Sequence, residues 1–184
     1  MKIQIEDKEF SCFLEYEQIK KRTRLLGIQM NVDYENKLPV VIAVLNGSFL
    51  FMADLVKELT VPIEVSFVKL SSYNGGESSS GVVKEIIGLD IDLQNRDVII
   101  VEDIVDTGNT ITHVLKQIKE YNPASVVVCT LLLKPDALQV EVEGIAYVGF
   151  EIPDEFVVGY GLDYKGLGRN LKDIYRAVSL PSET

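Results

Sequence analysis

Cysteine is scarce in this chain. Only Cys12 and Cys129 occur among its 184 residues, far apart and in no CxxC or Cys/His spacing. A disulfide-stapled miniprotein is excluded, and a structural zinc site is disfavoured. Reduced thiols are the plain expectation. Histidine is scarcer still: His113 is alone, falls inside a predicted helix and is assigned no catalytic role. Positive charge is also short. The 18 Lys and Arg residues against 28 Asp and Glu give a net charge of −10. So acidic a surface is ill suited to nucleic acid or an anionic membrane, though it leaves room for a focused anion site. No window approaches the roughly 18 apolar residues of a membrane span. The opening MKIQIEDKEF lacks the apolar stretch of a secretory signal. The expectation is a soluble, cytoplasmic protein with neither nucleic acid nor membrane as a partner.

What the chain does contain is ordinary for a globular domain: 47% hydrophobic and 25% charged residues. Its length suits a single domain spanning 1–184. Continuous apolar runs at Val40–Leu45, Val98–Val101 and Val126–Leu133 read as strands covered on both faces. Further strands are expected around Ile3–Ile5, Val61–Leu70, Val82–Ile87, Tyr147–Gly149 and Phe156–Val158. Helices are expected over about Glu15–Met30, Phe49–Leu59 and Thr110–Tyr121. Strands alternating with helices indicate an α/β fold with a mainly parallel central sheet flanked by helices. Ligands bind such sheets beyond the carboxyl ends of the strands. The loops after Leu45, Leu70, Val101, Leu133 and Val158 are therefore the ones to watch.

The segment Val98-Ile99-Ile100-Val101-Glu102-Asp103-Ile104-Val105-Asp106-Thr107-Gly108-Asn109-Thr110 carries the most chemistry. An apolar strand ends in two adjacent carboxylates. A third follows, and then a small polar turn opens a helix. Gly108 permits an unusual backbone close to a ligand. The hydroxyls of Thr107 and Thr110 and the unpaired N–H groups of the helix start suit a phosphate. Glu102 and Asp103 would repel that phosphate unless the ligand also brings hydroxyls or a divalent metal. A sugar phosphate with a free diol, accompanied by Mg²⁺, meets both demands. Acidic residues at a strand end are common on their own; the whole arrangement is far more specific.

VIIVEDIVDTGNT resembles the phosphoribosyl pyrophosphate (PRPP) motif of type I phosphoribosyltransferases. VVIAVLNGSFLFMADL, VKLSSY, LLLKPDAL and EFVVGYGLDYKGLGRNLKDIY follow the order found in the hypoxanthine-guanine branch of that family, over about residues 40–175. The resemblance implies the type I phosphoribosyltransferase fold, with a core over about 36–150. A small hood would come from the N-terminal segment and about 151–184. It implies transfer of a 5-phosphoribosyl group from PRPP to a 6-oxopurine, with Mg²⁺ as cofactor. It also implies a homodimer or homotetramer.

The same resemblance assigns roles. Glu102 and Asp103 would hold the ribose hydroxyls, partly through Mg²⁺. Asp106, Thr107, Gly108, Asn109 and Thr110 would cradle the 5′-phosphate, with Asp106 the catalytic base at purine N7. Asn46 and Gly47 would bind pyrophosphate through their backbone; many relatives have Lys in place of Asn46. Arg169 would join them, although Lys165–Gly168 departs from the bulkier stretch of many relatives. Lys134 would donate to the purine 6-oxo group, Phe156 would stack on the ring, and the Val157 backbone would read its edge. Asp163, at the same pocket, would help to place a second Mg²⁺. Ser72 and Tyr73 would belong to a lid over residues 71–81. Away from the resemblance, Asn46-Gly47 is a plain turn, Lys134 a solvated strand end, and Phe156 and Val157 simply core. Two other functions fit the same motif: a non-catalytic PRPP- or nucleotide-binding regulator, and a phosphoribosyltransferase for xanthine.

Overall fold

The computed structural model describes residues 2–73 and 83–178. Its centre is built from three apolar strands: β3 (Val40–Leu45), β6 (Asp97–Val105) and β7 (Ser125–Leu133). They lie inside a six-stranded sheet of order β5-β4-β3-β6-β7-β8. The remaining members are β4 (Glu64–Tyr73), β5 (Val83–Ile87) and β8 (Ile145–Glu151). All neighbours run parallel except β5, which pairs antiparallel with β4 at the edge.

Side chains alternate across a strand, so each strand feeds two cores. Val41, Ala43, Ile99, Val101, Cys129 and Leu131 pack on one face under α1 (Tyr16–Asp33) and α2 (Phe49–Glu58). Val40, Ile42, Val44, Val98, Ile100 and Val128 pack on the other. That face is covered by Ile111, Val114, Leu115 and Ile118 of α3 (Asn109–Lys119). This double burial is why the runs lack polar positions. Each fully buried aliphatic side chain contributes about 1.5–3 kcal/mol.

The two chain ends meet in a second sheet of order β1-β2-β10-β9. It comprises β1 (Lys2–Ile5), β2 (Lys8–Leu14), β9 (Val157–Val158) and β10 (Ile174–Ala177). Ile5, Phe10, Val158 and Tyr175 form its buried cluster. Strands β2 and β10 go beyond the sequence reading, although Phe10, Cys12 and Leu14 show the alternation of a half-buried strand. Elsewhere β4 begins at Glu64 rather than Val61. Pro62 has no N–H to give a ladder, and the N–H groups of Thr60 and Val61 donate instead to Asn31 Oδ1 on α1.

Ser72 and Tyr73, expected in a lid, end β4 and pair with Lys84 and Val83. Residues 74–81 of the expected lid lie outside the described residues. Among those described, no helix is long and apolar enough to cross a membrane.

Candidate active site

The alternation of β6 between the two cores breaks at the carboxylate pair. Ile99 and Val101 face the first core and Val98 and Ile100 the second, but Ile104 then packs on the first and Val105 on the second. The alternation shifts by one residue across Glu102-Asp103. On a regular strand these neighbours would point to opposite faces. Here both reach the same cavity beyond the strand end. Glu102 is 7% exposed, and its Oε2 is buried without a hydrogen-bond partner. Burial, with the Asp103 charge beside it, pushes its carboxyl well above the usual range. Burial also raises the Asp103 carboxyl, to about 6, against backbone N–H bonds and the Arg169 charge that lower it.

Beyond the pair, Gly108 turns the chain into α3 with φ of +83°. A Cβ there would lie 2.7 Å from Val142 Cγ2, so glycine is required by both backbone and space. The first turn of a helix leaves N–H groups without intrahelical partners, a ready anion site. Thr107, Gly108 and Thr110 line a hollow of about 230 Å³ beside the carboxylate pair. Asn109 does not line it; its side-chain amide donates to Thr107 Oγ1 and Gln139 Oε1.

Lys134 follows β7 and is 5% exposed. Its Nζ donates to Asp106 Oδ2 at 2.9 Å and to Asp154 Oδ1 at 3.0 Å. Burial alone would pull the ammonium down. The two carboxylate bonds more than offset it and hold the group above the ordinary lysine value. Sequence reasoning missed Asp154: nothing in EIPDEF marks it until β7 and the β8–β9 connection are brought together. That connection also carries Phe156, 44% exposed. The Phe156 ring is held edge-on by Tyr164 and approached by Lys8 Nζ at 5.2 Å from its centroid.

After β3, the Leu45–Asn46 peptide is cis. Gly47 then passes so close to Asp103 that a Cβ would overlap Oδ2, and Gly161 lies equally tight on the Gly47 carbonyl. Gly161 belongs to a turn fixed from both sides. Arg169 NH1 donates to its carbonyl at 2.7 Å, and the Tyr160 hydroxyl beside it donates to Asp54 of α2 at 2.7 Å. Arg169 NH2 also pairs with Asp163 Oδ1 at 2.5 Å, and Asp163 Oδ2 accepts the Gly166 N–H. The unfamiliar Lys165–Gly168 stretch is therefore tied to Asp163. Lys165 is anchored further by Asp7 at 2.7 Å.

One cavity of about 400 Å³ joins these groups. Asn46 and Gly47, the Glu102–Asp103 pair and Asp106, Lys134 with Phe156 and Val157, and Asp163 with Arg169 all line it. Two of the expected metal ligands, Glu102 and Asp103, are adjacent here, while Asp163 spends both oxygens on Arg169 and Gly166. Among the described residues no cluster of three or more such side chains is poised for a metal. Mg²⁺ takes one or two carboxylates and fills its remaining positions from substrate oxygens and water, a number that Glu102 and Asp103 can supply. The orphaned Glu102 Oε2 and the two charge-averse carboxyls are groups that a cation or a diol would satisfy.

Comparison with known proteins places the chain in a family. Residues 13–165 match the phosphoribosyl transferase domain family. The chain is 46% identical over 170 residues to a hypoxanthine-guanine phosphoribosyltransferase of Mycobacterium bovis, covering 89% of this chain and 84% of that protein. It is 46% identical over 156 residues to the protein of the same name from Streptococcus pneumoniae, covering 85% and 86%. The crystal structure of a hypoxanthine phosphoribosyltransferase from Staphylococcus aureus superposes with a TM-score of 0.83 at 40% identity, covering 91% of both chains.

Proposed function

The chain belongs to the family of phosphoribosyl transferase domains, and from that membership we propose how its residues perform the reaction. It is an enzyme of purine salvage with the type I phosphoribosyltransferase fold. It passes the 5-phosphoribosyl group of PRPP to hypoxanthine, giving IMP and pyrophosphate. Guanine, giving GMP, is the second acceptor we assign. The observation that carries the assignment is the single cavity shared by the carboxylate pair, Lys134 and Arg169.

PRPP binds with its 5′-phosphate in the Asp106–Thr110 turn at the start of α3, where N–H groups and threonine hydroxyls donate. Glu102 and Asp103 accept from the ribose hydroxyls. The Asn46-Gly47 backbone and Arg169 hold the pyrophosphate. Glu102 and Asp103, with Asp163 nearby, would hold Mg²⁺, which would supply positive charge against the leaving group. The purine stacks on Phe156, and its edge meets the Val157 backbone. Lys134 donates to the 6-oxo group. A 6-amino group would present a donor to a donor, so adenine is rejected. The C1′–O bond to pyrophosphate breaks and a C1′–N bond to the purine forms. Asp106 keeps one carboxylate oxygen on Lys134 and offers the other to the proton at N7. Arg169 meets the charge that grows on the departing pyrophosphate.

The family resemblance supports a homodimer or homotetramer in the cytoplasm. The test is a base-by-base assay with PRPP and Mg²⁺. Hypoxanthine, guanine, xanthine, adenine and uracil are offered separately, and nucleotide formation is followed. Turnover of hypoxanthine and guanine, lost on chelation, is the expected result. Turnover of xanthine alone would redirect the assignment to that base. No turnover by a folded protein that binds PRPP would mark a regulator.

A further inference from the structure

The one buried lysine of the site is shared between two carboxylates, and only one of them faces the cavity. Lys134 Nζ is 6% exposed as a side chain, against 47% for Asp106 and 64% for Asp154. Asp106 lines the cavity and Asp154 does not. An ammonium has three N–H donors. Asp106 and Asp154 take two, at 2.9 and 3.0 Å, and one remains. With a single acceptor the ammonium would be free to rotate about its Cε–Nζ bond. With two, the direction of the third N–H is fixed.

Asp154 also changes where the lysine's charge falls. Without it, the whole ammonium would lean on Asp106, the group that has to take the purine proton. Asp154 lies two residues before Phe156, on the connection between β8 and β9. The Lys134–Asp154 pair thus joins the stacking residue to the end of β7. We propose that Asp154 is a positioning residue: it anchors Lys134 from behind, aims the free N–H at the 6-oxo group and so enforces the preference for 6-oxo over 6-amino purines. This rests on the 6-oxopurine reading of the pocket.

The experiment compares Asp154→Ala, Asp154→Glu and Lys134→Ala with the double variant Asp154→Ala/Lys134→Ala, using the full chain with PRPP and Mg²⁺. Asp154→Ala, which removes the acceptor, is expected to raise the KM for hypoxanthine roughly tenfold, the scale of one hydrogen bond to a charged group. The KM for PRPP should stay within about twofold, and the ratio of adenine to hypoxanthine turnover should rise. Asp154→Glu, which keeps a carboxylate, should recover part of the loss. In the Lys134→Ala background Asp154→Ala should add nothing, because the interaction it removes is already gone. The exposed position of Asp154 leaves folding intact, and thermal melting checks it. An unchanged hypoxanthine KM in Asp154→Ala would overturn the role, as would an equal rise in PRPP KM or an undiminished effect in the Lys134→Ala background. Failure of the wild type to use any 6-oxopurine would instead remove the parent reading, and this one with it.

Discussion

Gly47 and Asp103 share one space: the position a Cβ would take on Gly47 is filled by Asp103 Oδ2. The turn after β3 and the carboxylate pair of β6 therefore form one packed unit rather than two neighbouring loops. Gly161 closes it from the far side, against the Gly47 carbonyl. Protein interiors tolerate little added volume at such contacts.

Gly47→Ala should accordingly displace Asp103 or the turn itself. Affinity for PRPP with Mg²⁺ should fall by about tenfold or more, since one methyl disturbs both the ribose and pyrophosphate contacts; overpacking of about 1–3 kcal/mol is the scale involved. Titration calorimetry with PRPP reads this directly, and circular dichroism confirms the fold. Wild-type affinity would show that the turn yields without consequence.

Asp106→Asn should separate chemistry from binding. The amide keeps the shape of the residue that Lys134 holds at 2.9 Å but cannot accept the N7 proton as a carboxylate does. Turnover should fall by roughly 10²–10⁴-fold, with far less change in PRPP affinity. Single-turnover kinetics is the measurement. Equal rates in the variant and the wild type would remove Asp106 as the base.

The strands that form the core were legible because double burial leaves an unbroken apolar run, as at Val40–Leu45, Val98–Val101 and Val126–Leu133. The ends of the chain were harder. The strand β10 is four residues long and depends on pairing with β2, more than 150 positions away in sequence, which no local pattern records. The same applies within the site. Glu102, Asp103 and Gly108 could be read from one contiguous segment, because strand end, turn and helix start are local events. Asp154 could not, because its partner Lys134 is buried by a strand and approached by a separate connection. Nor could the pairing of Asp163 with Arg169, which depends on the positive-φ turns at Tyr160, Gly161, Gly166 and Gly168.

Arg169→Lys tests that pairing. The guanidinium spans the Gly161 carbonyl and Asp163 at once, and a point-like ammonium cannot serve both with the same fork. The turn over Gly47 should loosen and the pyrophosphate contact weaken. KM for PRPP, and for pyrophosphate in the reverse reaction, should rise about tenfold, with hypoxanthine KM nearly unchanged. A selective rise in hypoxanthine KM would place Arg169 in the wrong subsite.

Glu102→Gln should trade function for stability. The Glu102 carboxyl is raised by burial and by Asp103, above the value of about 4.3 it has in an unfolded chain. Below that pH both states are protonated and nothing is lost. As pH rises, the unfolded chain ionises first, so the folded state loses stability until the pH passes the raised folded value. Asp103 acts in the same sense between the ordinary carboxyl value of 3.8 and about 6. Glutamine cannot ionise, so the variant should match the wild type near pH 4 and overtake it as pH increases. The gain in Tm should grow with pH from near pH 4 until the pH passes the raised folded value. PRPP affinity should fall over the same range, because the amide cannot replace the carboxylate facing a diol and Mg²⁺. Melting curves from pH 4 to pH 8, paired with PRPP titrations, measure both. A Tm difference that does not change with pH would mean that Glu102 is not the buried, reluctant acid described here.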